Sequence, residues 1–308
     1  MEPAERFRGS FIGLAIGDAL GTTNQFLRPG TFSSTTDMVG GGSFSLHAGQ
    51  WTDDTSMALC LANSLLECQK FEPKDQLERY VRWWRQGYMS CTKRCYDIGG
   101  TTSSALSRFM KTKAEYCGSD RPNTSGNGSL VRLAPVVLYF AEEPLVALEN
   151  AALSSRTTHA YPTCLDSCRY LAALMLGALH GLSKEEILSH TFSPTPGYWK
   201  NHPLGAPVAH IKSGAYKAKP PQEIRGNGYV INSLEAALWS FANTNSFEEG
   251  ALRAVNFGED SISTGAIYGQ LAGSFYGFRA IPPHWIQRLE QHNYLEQVAD
   301  RLLEKSKH

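Results

Sequence analysis

Two separated groups of oxygen-bearing side chains stand in this sequence, each where a loop leads into an apolar helix. The first is W-T-D-D-T at Trp51 to Thr55, and the second is N-F-G-E-D-S-I-S-T-G-A-I at Asn256 to Ile267. Carboxylate and hydroxyl oxygens are the ligands that hard divalent cations such as Mg²⁺ prefer. Together the two runs predict two halves of one metal site.

Individual residues in these runs have distinct predicted roles. Asp53 and Asp54 point in different directions from a chain entering a helix, so one can face a cation while the other takes a second cation or a water, and Thr52 supplies a further oxygen. Asp260 begins a glycine-rich helix, and Ser263 follows three positions later. Helix capping is the alternative for all of them. Because a cap needs no second adjacent carboxylate, the Asp pair favours function.

A possible anion-binding loop lies at Gly126, Asn127 and Gly128, followed by Ser129. Glycines let backbone amides approach an anion closely, and exposed amides at a helix start bind phosphate. Taken alone, so short a run is more often an ordinary turn.

Two further residues stand just before predicted helices. His159 lies in T-T-H-A-Y-P, and Asp97 lies in R-C-Y-D-I-G-G-T-T, before a glycine turn. Taken alone, such a His is more often structural than catalytic.

Helical periodicity dominates the elements that must position these groups. Phe7, Phe11, Leu14 and Asp18 share one face of an opening helix, which places the Asp at its inner, C-terminal end. Only Tyr229 to Ile231 has the pattern of a strand. Further helices are predicted at residues 54–68, 73–86, 101–111, 135–140, 144–153, 162–182, 233–241, 246–255 and 261–276, with a capped short helix after Ser183 and two more near the C-terminus. We therefore predict an all-α fold.

Composition limits the kind of protein to which the site belongs. The 308 residues include 42% hydrophobic residues, enough for a large core, and 29 basic residues balance 29 acidic ones. No global field favours nucleic acid or an anionic membrane. The irregular stretch 194–227 could be a linker, but we interpret it as a surface excursion of a single domain spanning 1–308, because the later motifs need the early ones.

The number of cysteines and the lengths of the apolar stretches indicate where the protein resides. Seven cysteines are an odd number in a well-cored chain, which indicates reduced thiols and a cytoplasmic protein. Two pairs spaced four apart, Cys91 with Cys95 and Cys164 with Cys168, are interpreted as buried small side chains, with part of a zinc site as the alternative. No stretch reaches the roughly 18 apolar residues of a membrane span.

Several runs occur in a recognisable order along the chain. They are G-D-A-L-G at 17–21, W-T-D-D-T-S-M at 51–57, R-C-Y-D-I-G at 94–99, G-N-G-S-L-V-R-L-A-P-V at 126–136, T-H at 158–159 and G-A-I-Y-G-Q-L-A-G-S-F-Y-G at 265–277. In these runs the chain resembles the ADP-ribosylglycohydrolase family, closest to its bacterial dinitrogenase-reductase-activating type. The resemblance covers nearly the whole chain.

The resemblance implies an all-α, single-domain orthogonal helical bundle with a central cleft for metal and ADP-ribose. It implies two Mg²⁺ or Mn²⁺ ions and hydrolysis of the N-glycosidic bond between ADP-ribose and an arginine side chain. The expected partner is ADP-ribose or an ADP-ribosylated protein, and a monomer is expected. By the resemblance, the metal ligands are Thr52, Asp53, Asp54 and Asp260, and Asp97 is an acidic residue near the scissile ribose. The diphosphate-binding loop is Gly126 to Leu130, which comprises Gly126, Asn127, Gly128, Ser129 and Leu130. His159 and Tyr229 line the ligand cleft, and Tyr229 offers a stacking face for adenine.

Two departures from the family pattern change the expected metal site. The family's last motif usually reads D-x-D-T, but here the second Asp falls on Ile262 and the Thr on Ser263. The family also tends to place Glu near the position of Gln25. Because an alkyl group cannot bind a cation and an amide carries no charge, we expect at least one metal to bind weakly or not at all, which leaves Asp53, Asp54 and Asp260 to hold a single one. Hydroxyls of Ser261 and Ser263, or water, could compensate.

Two functional hypotheses follow from the sequence. The first is a divalent-metal hydrolase that removes ADP-ribose from arginine or a related acceptor, with Asp54, Asp97 and Asp260 as its catalytic carboxylates. The second is a degenerate relative that binds ADP-ribose or another nucleotide without cleaving it, which Ile262 and Gln25 motivate. The enzyme is the favoured interpretation.

Overall fold

The computed structural model describes residues 1–307, and it is built from helices joined by loops and short 3₁₀ turns. Within these residues the only β-structure consists of three isolated bridges, so the all-α prediction is confirmed. In chain order the α-helices are α1 Pro3–Gly21, α2 Asp53–Cys68, α3 Pro73–Gln86, α4 Gly100–Thr112, α5 Ala134–Tyr139, α6 Pro144–Arg156, α7 Pro162–Leu179, α8 Lys184–Ile187, α9 Tyr198–Asn201, α10 Ala206–Lys212, α11 Val230–Ala242, α12 Phe247–Val255, α13 Ser261–Tyr276, α14 Pro283–Arg288 and α15 His292–Ser306.

The central element is an antiparallel pair formed by α1 and α13. A Cβ atom added at Gly17 would overlap the carbonyl oxygen of Gly265, and the same relation holds between Gly13 and Gly269. A stripe of glycines spaced four residues apart on each helix therefore lets the two backbones touch. Because the pair is antiparallel, the C-terminal end of α1 meets the first turn of α13.

Other helices surround this pair and form the core. One large cluster of buried apolar side chains extends from Phe7 in α1 to Leu302 in α15 and includes most of α7 and α11. A second cluster joins α2, α3 and α4 through residues such as Leu65, Tyr80 and Leu106. That these helices form one domain spanning 1–308 stays a prediction, which the extent of the larger cluster supports.

Most predicted helices lie within a few residues of those observed. The predicted strand is wrong, because Val230 and Ile231 form the first turn of α11. The irregular stretch 194–227 contains two short helices, α9 and α10, and buries Val208, Ile211 and Tyr216 against the core. It therefore packs on the body of the protein and does not act as a linker.

Two sequence-based expectations concern the surroundings of the chain. Among residues 1–307, no helix is both long and apolar enough to cross a membrane. The compartment and the monomeric state stay predictions.

Candidate active site

A cavity of about 270 Å³ lies where the first turns of α2 and α13 meet the start of α4 and the loop before α5. It brings together most of the predicted site residues, which are Asp53, Asp54, Asp97, Gly126, Asn127, Gly128, His159, Asp260 and Ser263. Gly100 and Thr101 also line a neighbouring groove of about 380 Å³. A ligand longer than the cavity can therefore continue along the surface.

Asp18, at the inner end of α1, fixes the start of α2. Its Oδ1 accepts hydrogen bonds from the Thr52 amide at 2.9 Å and the Thr52 hydroxyl at 3.0 Å, and its Oδ2 accepts from the Thr55 amide and hydroxyl at 2.9 and 2.7 Å. Burial raises the pKa of Asp18, and the threonine hydrogen bonds oppose that rise. This carboxylate thus positions the W-T-D-D-T run, while the Thr52 hydroxyl still has a lone pair for a cation.

The two carboxyl groups of Asp53 and Asp54 lie in the first turn of α2 and face the cavity. Burial raises the pKa of both well above the ordinary value, and the neighbouring charges of Asp18, Asp97 and Asp260 raise it further. The Oδ2 atom of Asp54 is buried and has no hydrogen-bond partner among the described residues. A buried carboxylate oxygen without a donor is costly unless a cation or proton approaches it.

Asp260 occupies the N-cap position of α13, but its side chain does not cap that helix. Its Oδ2 instead accepts a hydrogen bond from Asn127 Nδ2 at 2.8 Å, and its Oδ1 accepts one from Gln25 Nε2 at 3.0 Å. The capping alternative therefore does not explain this carboxylate. The Asn127 side chain links the glycine loop to the acidic cluster.

Gln25 follows the G-D-A-L-G run and connects three parts of the site. Its Nε2 donates to Asp97 Oδ2 at 2.9 Å as well as to Asp260, and its Oε1 accepts the Ile262 amide at 3.1 Å. An ionised glutamate could accept the amide hydrogen but could not donate to either carboxylate. Gln25 therefore partly offsets the charge of the acidic cluster in the absence of a cation.

Asp97 reaches the cavity from a strained backbone. Its φ angle is +53°, in the left-handed region. Phe26, which also lines the cavity, has a φ of +68°, and Glu259, next to Asp260 in the sequence, has a φ of +54°. Such conformations are uncommon outside glycine and cluster at functional sites. Burial, with the charge of Asp260 next in importance, raises the pKa of Asp97 to about 7, and the Gln25 hydrogen bond opposes the rise.

The glycine loop presents part of its backbone to the cavity. The Asn127 amide donates to Gly228 O, and the Leu130 amide donates to Asn127 O. The amides of Gly128 and Ser129 have no backbone acceptor among residues 1–307. Of these two residues only Gly128 lines the cavity, so its amide is the one placed for an anion. The first turn of α4, which lines the cavity through Gly100, Thr101 and Thr102, adds the positive end of a helix dipole, with Thr102 next to Gly128.

Four predicted residues lie outside the cavity lining. Thr52 is buried on Asp18, Ser129 pairs with Ser155 through its hydroxyl at 2.8 Å, and Leu130 is fully buried. Tyr229 is 41% exposed and lies beside the loop through the Gly126 bridge. Its predicted stacking role requires the ligand to extend beyond the cavity, and the roles of all four stay predictions.

The sequence analysis did not single out Phe26 or the start of α4 as site residues. The ring of Phe26 is 60% exposed at the cavity. For Phe26, the available sequence signal was its position directly after Gln25; for the start of α4, it was the G-G-T-T run that follows Asp97. A larger groove of about 960 Å³ near Arg225 and Arg253 contains no predicted site residue, and these arginines are paired with Glu259 and Glu249.

Comparisons with known proteins agree with this geometry. Residues 1–308 match the ADP-ribosylglycohydrolase family. The ADP-ribosylarginine hydrolase Tri1 of Serratia proteamaculans is 39% identical over 301 residues, which cover 98% of this chain and 80% of that protein. A solved structure described as an ADP-ribosylglycohydrolase-related protein complex is similar with a TM-score of 0.87 and 40% identity, covering 99% of both chains.

This chain belongs to the ADP-ribosylglycohydrolase family. The predicted resemblance and the prediction of a hydrolase are thereby confirmed, which favours the enzyme over the degenerate binder. The ADP-ribosyl-[dinitrogen reductase] glycohydrolase of Rhodospirillum rubrum is 27% identical over 293 residues, which cover 93% of this chain and 90% of that protein. The chain is therefore more similar to the Serratia hydrolase than to the dinitrogen reductase enzyme.

Within the family, Ile262 remains a notable residue of this chain. Its side chain is 1% exposed, yet it lies outside both apolar clusters of the core. The α-carbon of Ile262 packs directly on Gly21 at the end of α1. The residue is therefore tightly held beside the acidic cluster and brings no oxygen to it.

Proposed function

We propose that this glycohydrolase cleaves the N-glycosidic bond between ADP-ribose and an arginine side chain, using a divalent cation held by an atypical site. The observation that carries the proposal is the convergence of Asp53, Asp54, Asp97 and Asp260 on one cavity beside a glycine loop. The Serratia relative is an ADP-ribosylarginine hydrolase, which supports the choice of acceptor.

The fit of a cation to these residues can be judged from Asp54. Its unpartnered Oδ2 is the kind of atom that a Mg²⁺ or Mn²⁺ ion would satisfy, and Asp53 and Asp260 supply further carboxylates. Thr52 and Ser263 supply hydroxyls. Among residues 1–307, however, no three acidic, His or Cys side chains already converge on one point.

Gln25 and Asn127 give a physical reason for that open arrangement. Their amide groups hold both oxygens of Asp260, and Ile262 contributes no ligand. We therefore infer one well-bound cation in place of two. When bound, the cation would polarise the ribose hydroxyls and an attacking water.

Residues of the chain itself would orient the substrate. The Gly128 amide and the first turn of α4 would face a diphosphate, while Tyr229 beside the loop would offer a ring to adenine. These contacts would place the distal ribose over the carboxylates. Holding the reacting bond in this way supplies much of the catalytic advantage of such a site.

Asp97 is suited to proton transfer at the scissile bond. In the metal-free site burial, and after it the charge of Asp260, raises the pKa of Asp97 to about 7. A cation on Asp260 would remove the second cause but not the larger one, so the carboxyl would still hold a proton more readily than an exposed Asp. We infer that Asp97 exchanges a proton with the reacting groups as the ribose–guanidine bond breaks. Asp97→Asn should lower kcat by roughly 10²- to 10⁴-fold.

The acceptor is tested with two mono-ADP-ribosylated peptides of one sequence, modified on arginine or on serine. We expect release of ADP-ribose from the arginine-linked peptide and little from the serine-linked one. Preference for serine would overturn the proposed acceptor. Tight binding of ADP-ribose with no release from either peptide would instead support the degenerate binder.

A further inference from the structure

Arg132 is a buried cation without an acidic partner. The residue is fully buried, and none of the ion pairs formed by residues 1–307 includes it. Its guanidinium lies 4.7 Å from the centre of the Tyr80 ring, and its Nε atom has no hydrogen-bond partner among those residues. Buried charges are normally paired with an opposite charge, whereas the Arg132 guanidinium is held only by neutral groups: a carbonyl, hydroxyls and an aromatic ring.

Arg132 is joined to the glycine loop and to His159. Its Nη1 donates to the Gly128 carbonyl at 2.9 Å, and its Nη2 donates to the Thr158 hydroxyl at 2.7 Å. The Thr158 hydroxyl lies 2.8 Å from His159 Nδ1. A continuous chain of hydrogen bonds thus runs from the buried cation to a ring that lines the cavity.

The direction of these hydrogen bonds determines the His159 tautomer. A guanidinium only donates, so the Thr158 oxygen accepts from Arg132. If His159 Nδ1 also donated to that oxygen, the Thr158 hydrogen would have no acceptor among the described residues. The hydroxyl therefore donates to Nδ1, and the ring hydrogen resides on Nε2.

The Nε2 atom of His159 lies beside the loop. A Cβ atom added at either Gly126 or Gly128 would lie 3.4 Å from it, and Nε2 has no protein partner within residues 1–307. Burial, together with the Arg132 charge, lowers the pKa of His159 to about 3, so the ring is neutral at pH 7. The ring hydrogen is free for a ligand in the cavity.

We propose that Arg132 and Thr158 are positioning residues that hold His159 as its Nε2–H tautomer, so that the cleft offers to a diphosphate a donor linked by hydrogen bonds to a buried positive charge. The proposal rests on the proposed function for the identity of the anion. The tautomer does not depend on it. A fixed donor and a buried cation together would favour the diphosphate over an uncharged ligand.

The tautomer is tested by ¹⁵N NMR of histidine-labelled protein at pH 7, without metal or substrate, with His159→Gln used to assign the signals. We expect His159 to show a protonated Nε2 and an unprotonated Nδ1. Thr158→Val, which keeps the side-chain shape, should lose this preference, and Thr158→Ser should restore it. A protonated Nδ1 in the unaltered protein would overturn the proposal, and this outcome does not depend on whether the Thr158 variants fold.

The anion is tested by calorimetry with ADP-ribose, inorganic pyrophosphate and adenosine. Thr158→Val should weaken ADP-ribose and pyrophosphate binding by about tenfold, with adenosine and Thr158→Ser nearly unaffected. Equal weakening for adenosine, or no weakening for pyrophosphate, would overturn the proposal. Since no turnover is measured, a failure of the hydrolase assignment would leave these outcomes unchanged.

Discussion

Gln25 donates one amide hydrogen to Asp260 Oδ1 at 3.0 Å and the other to Asp97 Oδ2 at 2.9 Å. The side chain therefore lies between two carboxylates and partly neutralises both. A bound cation or a proton would also reduce the repulsion between these two carboxylates. The residue that departs from the family pattern thus changes the electrostatic balance of the site as well as its list of ligands.

Gln25→Glu is expected to destabilise the metal-free protein and to strengthen cation binding. The carboxylate cannot donate to Asp97 or Asp260 and adds a like charge beside them. Mg²⁺ affinity should rise by about tenfold or more, because each added carboxylate contributes charge and an oxygen ligand. Calorimetric titration with Mg²⁺ and thermal unfolding in a chelator measure the two effects.

Gln222→Glu is the matched control for this change, because it adds the same charge at an exposed residue away from the acidic cluster. It should leave Mg²⁺ affinity unchanged. If Gln25→Glu behaves like this control, the inference that Gln25 offsets the charge of the cluster is wrong.

Asp97 should make the stability of the metal-free protein fall as pH rises. Its folded-state pKa of about 7 lies above the ordinary value, so between about pH 4 and pH 7 the unfolded state loses a proton that the folded state retains. Urea unfolding in a chelator should show that Asp97→Asn gains stability over the unaltered protein across this window, with no further gain above it. Asn tolerates the left-handed backbone at this position.

Asp120→Asn serves as the control for that experiment, because Asp120 is an exposed acid outside the cavity lining. Its effect should be small and should not grow between pH 4 and pH 7. A difference for Asp97→Asn that is equally flat with pH would contradict the raised pKa.

The glycine contacts between α1 and α13 should be essential for stability. A Cβ atom at Gly17 would overlap the Gly265 carbonyl, and the backbone has no room to yield. Gly17→Ala is expected to destabilise the fold by about 3 kcal/mol or more, at the upper end of overpacking effects. Gly100→Ala is the control, because nothing lies within 4 Å of its added Cβ. Equal unfolding midpoints for the two variants would contradict the close approach.

Much of the fold could be predicted from local patterns. The predicted first and last residues of the helix Pro73–Gln86, which begins at a proline, agree with the structure. Ser183 and Glu186 form the predicted capping box. The helices within residues 194–227 could not be predicted, because they are too short to show a helical period of apolar residues. Their burial depends on contacts with α7 and α11.

The sequence indicated which side chains would lie near one another but not the hydrogen bonds that join them. Asp53, Asp54 and Asp260, grouped by motif order, line one cavity, and their roles as metal ligands stay predictions. The donation from Gln25 to Asp260 joins residues 235 positions apart, and no spacing rule reports such a hydrogen bond. The sequence indicated a lost charge at Gln25 but not the two hydrogen bonds that partly replace it.

The central claim is that the chain hydrolyses ADP-ribosylarginine with a cation held by Asp53, Asp54 and Asp260. The most direct measurement is ADP-ribose release from an ADP-ribosylarginine peptide as Mg²⁺ is titrated, for the unaltered protein and for Ile262→Asp. We predict turnover by the unaltered protein that saturates with Mg²⁺ and stops in a chelator, with saturation at lower Mg²⁺ in the variant. Turnover that is indifferent to the chelator, or that occurs only in Ile262→Asp, would contradict the claim.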